Sequence, residues 1–428
     1  MLKRIFTKFN YEQFNITENC SNIMDLIIKN DCQLYTEKQT KTTKSIFKEF
    51  YDHFVDAEEF LKTIQINPVV EEVEIQTKKT GMIKKFNKSN DHHYIIEPIR
   101  EYINDFAEYD ITYSVKLHDK TINIFFITGK DYKISEIKRN IYRILLWLHT
   151  VIKYAKNTFC SKELNIYIFL TKLKKTLPEN EKEEIGKINV NTGFTMTCQE
   201  KSNIVIYRQE EWYKVFVHET MHNLGLDFSG MDNDNTREFI LKIFPVKSDV
   251  KLYEAYTDAW AKILNVLLTS YLTSDRTYKE FVIKTEEYMN LERTHCFFQC
   301  IKILHHMGLS YEYLYSEDEQ SQKLRKLYKE QTSILSYYII NAVILNIYQD
   351  FLVWCKTHNT PDSILQFVNT KKKQMEFCDF IDKNYKTEVM MNRIHCISEM
   401  FEHYKHTNTK KEVKYLLKNM RKSLMEIH

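Results

Sequence analysis

The 428-residue sequence predicts an α+β protein that is predominantly helical, with a small mixed β-sheet flanked by helical regions. Three observations carry that expectation. Only seven Gly and five Pro occur, and because these residues punctuate turns, their scarcity favours long helices joined by few tight loops. Apolar residues recur at helical spacing through most of the chain, as at Ile46, Phe47, Phe50, Tyr51 and Phe54. Between about Tyr113 and Tyr207 the period changes to the alternation and β-branched runs of strands. The expected organisation is an N-terminal helical domain (1-108), a sheet with one motif-bearing helix (109-230) and a helical C-terminal domain (231-428).

The elements follow in order. Ser114-Val-Lys-Leu-His118 alternates, Asp119-Lys120 can turn, and Ile122 to Ile127 is β-branched and aromatic, which together predict a hairpin. A helix is expected from about Ser135 to Lys156, then a strand over Leu164 to Leu170, then two more over Gly193 to Thr197 and Ile204 to Tyr207. The next helix starts near Gln209 and stops at Gly225, because Gly tolerates the left-handed cap conformation. Beyond Leu252 only helices are expected: Tyr253 to Leu272, Tyr278 to His306, Asp318 to Thr332, Ile334 to Lys356 and several more.

Composition narrows the function classes. Lys and Arg total 61 against 58 Asp and Glu, a net charge of +3, so no polyanion-binding signature points to nucleic acid. The nine Cys are scattered and odd in number and are read as reduced thiols. Residues 1–15 have basic residues but no apolar run or cleavage site, so no secretory leader is expected and a cytoplasmic location is. Richness in Lys, Asn, Ile and Tyr hints at an AT-rich genome, such as that of a large DNA virus, for which host cytoplasm or virion would be the location. The most apolar stretch, Tyr337 to Trp354, is broken by Asn341, Asn346, Gln349 and Asp350, so no membrane span is expected.

One constellation carries chemistry. Residues 218–222 read His-Glu-Thr-Met-His, and on a helix residues four apart share a face, so His218 and His222 can reach one ion with Glu219 beside them. Zinc in catalytic sites takes three protein ligands and leaves a position for water. The stretch Leu252-Tyr-Glu-Ala-Tyr-Thr-Asp258 offers the third: Glu254 can ligate, and Asp258, one turn on, can accept the outer N–H of a ligating imidazole, His218 being the candidate.

With His218-Glu219-x-x-His222 followed by Glu254-x-x-x-Asp258, the chain resembles the gluzincins, the thermolysin-like superfamily of zinc metallopeptidases, over residues 110 to 270 or so. The resemblance implies a zincin active-site helix, one catalytic Zn2+, a peptide or protein substrate cleaved internally, and Glu219 as general base and acid. It also implies an oxyanion-stabilising His or Tyr from the downstream region, for which Tyr337, Tyr338 and His295 are candidates. A rival third-ligand site follows His222, where Asn-Leu-Gly-Leu-Asp-Phe is similar to the start of the metzincin pattern. There the position of the third His is Phe228, which cannot bind zinc, leaving Asp227, Asp232 and Asp234 as oxygen donors. The alternative function is a non-catalytic zinc-binding or zincin-like structural protein of an assembly. A fourth protein ligand in place of water would mark it. Oligomeric state, cleavage specificity and natural substrate have no signal in the sequence.

Overall fold

The computed structural model describes residues 14–29, 37–63, 67–71, 81–181, 183–407 and 409–428. The N-terminal residues read for a leader, up to residue 13, and Cys32 lie outside the described residues. The protein is α+β and predominantly helical, with strands β1 (Asn67–Glu71), β2 (Tyr109–Leu117), β3 (Lys120–Thr128), β4 (Glu163–Thr171), β5 (Gly193–Thr195) and β6 (Lys201–Arg208). They form one mixed sheet in the order β1-β2-β3-β4-β6-β5.

The expected hairpin is β2–β3, turning through His118 and Asp119, with His118 left-handed at φ 56°. Strands β3, β4 and β6 are parallel, and β5 returns antiparallel to β6, so β5 forms one edge. The other edge, β1, lies in the segment expected to be helical and pairs antiparallel with β2. Its Pro68 is tolerated because an edge strand does not need every ladder donor.

Parallel strands covered on both faces read as continuous apolar runs, and here alternate residues divide between two cores. Ile122, Ile124, Phe126, Ile166, Ile168, Ile204 and Ile206 face the large core. Phe125, Ile127, Tyr167, Phe169, Val205 and Tyr207 face a smaller one with Ile83, Phe86, Ile99 and Ile103, from the Gly81–Asn87 and Glu97–Phe106 helices. The large core also takes in the Ile134–Ile152 helix, the motif helix Trp212–Asn223 and the buried ligand helix Leu252–Thr273.

Two helical expectations need correction. The Asp318 to Thr332 stretch is a short helix, Glu319–Leu324, running into a 3₁₀ turn, Arg325–Leu327. Ile334 to Lys356 is not one helix but a π-helical stretch, Leu335–Ile340, then Asn341–Asn346 and Tyr348–His358, with a bend of 91° at Ile347. No single helix among the described residues is long and apolar enough to cross a membrane.

The reading of all cysteines as thiols is also corrected: a disulfide joins Cys160 and Cys198, and Cys396 is disulfide-bonded as well. Cys160 precedes β4 and Cys198 lies between β5 and β6, so pairing of β4 with β6 brings together two residues 38 apart. Sequence spacing carries no trace of that approach, and the expectation of a reducing compartment loses its cysteine argument. Cys20, Cys296, Cys300, Cys355 and Cys378 are buried free thiols.

The C-terminal segment docks against the start of the motif helix. Glu211, left-handed at φ 58°, precedes that helix; its carboxylate meets the buried Lys175 ammonium at 2.6 Å and accepts the Ser423 N–H at 2.5 Å. Burial works to raise the Glu211 carboxyl, but Lys175, Arg421 and Lys214 overcome it and hold it at about 2. Glu211→Gln leaves the Lys175 charge uncompensated, at a cost of about 3–5 kcal/mol at neutral pH. The folded carboxyl titrates below its unfolded value near 4.5, so this stabilisation is fully present above pH 4.5 and fades as pH falls toward 2. Denaturant unfolding of parent and variant should therefore show a gap that is widest at neutral pH and narrows below 4.5; a gap independent of pH contradicts the ion pair.

Candidate metal centre

The motif helix presents its ligands because of how it ends. Gly225, at φ 65°, donates its N–H to His222 O at 3.0 Å, and Leu226 N–H reaches Met221 O at 2.9 Å, the paired bonds of a Schellman cap. The turn sends the chain back, so Asp227 lies against the helix it has just left. Asn223 ties the same end to the sheet edge, donating to Thr195 Oγ1 at 2.9 Å and accepting the Cys198 N–H at 3.2 Å. At Gly193 a Cβ would come within 2.7 Å of both Val205 O and Ile206 Cδ1, so glycine lets β5 lie close to β6 and the motif helix.

His218 and His222 are 4% and 7% exposed. Their Nε2 atoms are 3.0 Å apart, and Glu254 Oε2, from the first turn of the ligand helix, lies 3.2 Å from His218 Nε2 and 3.4 Å from His222 Nε2. Zinc bonds of about 2.0–2.1 Å at tetrahedral angles would separate ligand atoms by about 3.3 Å. The three atoms thus outline one face of a zinc-sized tetrahedron, two nitrogens and a carboxylate oxygen being a donor set that suits this ion. Among the described residues these three side chains form the one group of His, Cys, Asp or Glu with the geometry to hold a metal ion.

Each imidazole is oriented from behind. His218 Nδ1 faces Asp258 Oδ1 at 3.4 Å, while His222 Nδ1 contacts Asp227 Oδ2. Asp258 is fully buried; it also contacts Lys214, one turn before His218, and pairs with Lys262 at 2.9 Å. Asp227 accepts Ser229 N–H at 2.8 Å and the Thr257 hydroxyl at 2.9 Å. Burial works to raise the Asp227 carboxyl, and His222 and Ser229 hold it below the usual range. Of the rival third-ligand candidates, Asp227 meets the outer nitrogen of His222 and not the triangle, and Asp232 and Asp234 belong to the exposed start of the Asp234–Ile243 helix. Phe228 packs on Phe367, their ring centroids 4.5 Å apart.

Glu219 is 8% exposed, and burial pushes its carboxyl up against the opposing pull of His218 and His222. The Tyr337 hydroxyl donates to Glu254 Oε2 at 3.0 Å. The other two oxyanion candidates are elsewhere. Tyr338 donates to Met420 O at 2.8 Å, and His295 contacts Gln299 Nε2 at 2.9 Å in a separate buried network. Lys422 went unnoticed in the sequence: it is 6% exposed and its Nζ lies 3.3 Å from the Tyr337 ring centroid.

Asp227→Asn should weaken zinc binding by about 10–100-fold, the usual cost of losing the partner of a ligating imidazole, and Glu254→Ala by more. Asp258→Asn should also lower thermal stability, since it removes the counter-charge of Lys214 and Lys262. Competition titration against a chromophoric chelator ranks the three. Loss of metal from Asp227→Asn, with retention by Glu254→Ala, contradicts the assignment. Compared with known proteins, the chain matches no family model, no curated protein and no solved structure.

Proposed function

We propose that the protein is a zinc-dependent metallopeptidase, with the ion held by His218, His222 and Glu254. The observation that carries this reading is the triangle of ligand atoms, with edges of 3.0, 3.2 and 3.4 Å, beside a carboxylate on the same helix. Zinc there would lower the pKa of a water and polarise a carbonyl. Glu219 takes the proton of the attacking water as its oxygen bonds to the scissile carbon, then delivers it to the nitrogen when the C–N bond breaks. The Tyr337 hydroxyl, at the triangle through Glu254, is placed to donate to the carbonyl oxygen as it becomes negative.

The sheet supports a peptide substrate. Strand β6 is enclosed between β4 and β5, whereas β5 has an edge that pairs with no strand among the described residues. An extended peptide can add to such an edge through main-chain hydrogen bonds. Asn223 ties β5 to the motif helix, fixing a bound backbone relative to Glu219. Cleavage within a chain is the mode that edge pairing favours, since it engages backbone on both sides of the scissile bond.

Glu219→Gln should keep stoichiometric zinc and lose hydrolysis of a labelled protein substrate by roughly 10²–10⁴-fold. Zinc content by atomic absorption and turnover in the same preparation decide the point. Parental turnover in the variant removes the assignment.

A further inference from the structure

Resting on the peptidase reading, we propose that Lys422 is a further catalytic residue, its ammonium receiving the substrate carbonyl oxygen beside the Tyr337 hydroxyl as negative charge develops there. The residue reaches the site from the far end of the chain, 204 positions after His218 (422 − 218). Its neighbours are fixed on both sides. Met420 N–H donates to Lys175 O at 3.0 Å and its carbonyl accepts from Tyr338. The Arg421 guanidinium reaches Glu426 at 3.2 Å and Leu424 O at 2.9 Å. Ser423 N–H is held by Glu211, and Leu424 N–H by Glu292 at 2.9 Å. A side chain rooted in such a segment has little freedom, the preorganisation that charge stabilisation requires.

The other buried lysines nearby are matched: Lys175 with Glu211 at 2.6 Å, Lys262 with Asp258 at 2.9 Å, and Lys214 with Asp258. Lys422 has no hydrogen bond or ion pair of its own among the described residues, only the face of Tyr337. Burial pushes the Lys422 amine down to about 7, and an anionic oxygen arriving beside it favours the ammonium form. That ring carries the hydroxyl that contacts Glu254, so the ammonium lies one aromatic side chain from the ligand triangle.

The test uses the zinc-loaded full chain, quenched fluorescent casein as substrate and a phosphonamidate dipeptide as a mimic of the tetrahedral anion. Lys422→Met should retain zinc and melting temperature, keep KM, and lose kcat by about 10²–10³-fold. The phosphonamidate should bind that variant more weakly by a similar factor, and Lys422→Arg should recover part of both. If Lys422→Met fails to fold, Lys422→Gln takes its place in the same comparison. Parental kcat in the neutral variant, or a lost kcat with unchanged phosphonamidate affinity, overturns the proposal while leaving the zinc site standing. Absence of zinc-dependent cleavage by the parent, or parental cleavage by Glu219→Gln, overturns the peptidase reading and the Lys422 role with it.

Discussion

The site depends on one buried contact, the carboxylate of Asp258 between the motif helix and the ligand helix. On one side it meets Lys214 and His218, a helical turn apart; on its own helix Lys262 lies one turn beyond it and Glu254 one turn before. With no water to dissolve these charges, the helices cannot slip by a turn without leaving an ion unpaired, at a cost of about 3–5 kcal/mol. That register places Glu254 across from the two imidazoles. The residue that faces His218 from behind is thus also the one that aligns the helices carrying the candidate ligands.

The remaining supports act on other boundaries of the same helix. Its end is turned by Gly225, its last residue is tied to β5 through Asn223 and Thr195, and its start rests on Glu211. The Cys160–Cys198 disulfide packs against Gly225, where a Cβ would meet Cys198 Cβ at 3.3 Å and Cys160 Sγ at 3.5 Å. The loop beyond β5, the start of β4 and the helix end therefore form one braced corner. The C-terminal segment braces the opposite end, so residues far apart in sequence converge on a helix of 12 residues.

Much of this was legible in the sequence, because helical periodicity is a local property. The spacing of His218 and His222, the stop at Gly225 and the spacing of Glu254 and Asp258 all follow from one turn of helix, and strands β2 to β6 followed from a change of period, whereas β1 was missed in a segment read as helical. What escaped depended on approaches between distant segments. Tyr337 and Tyr338 are adjacent in sequence, and only the π-helical geometry and packing decide that the first faces Glu254 and the second Met420. Asp227 looked like a rival ligand because spacing does not say which imidazole nitrogen a carboxylate will meet. Lys422 closes a stretch rich in Lys, a composition usual on a solvated face; its signal was the apolar company of Met420, Leu424 and Met425, which argues for burial. The single long helix expected over Ile334 to Lys356 failed for a related reason, since apolar residues on every side suit any buried helix, straight or bent.

The central claim is a zinc centre with two imidazole nitrogens, one carboxylate oxygen and a position left for water. X-ray absorption at the zinc edge of the purified full chain tests it most directly. The account predicts one zinc per chain, with a first shell of nitrogen and oxygen at about 2.0–2.2 Å and two scatterers showing the outer-shell pattern of imidazole rings. A sulfur shell near about 2.3 Å, a third or fourth imidazole, or a protein that takes up no zinc would contradict it.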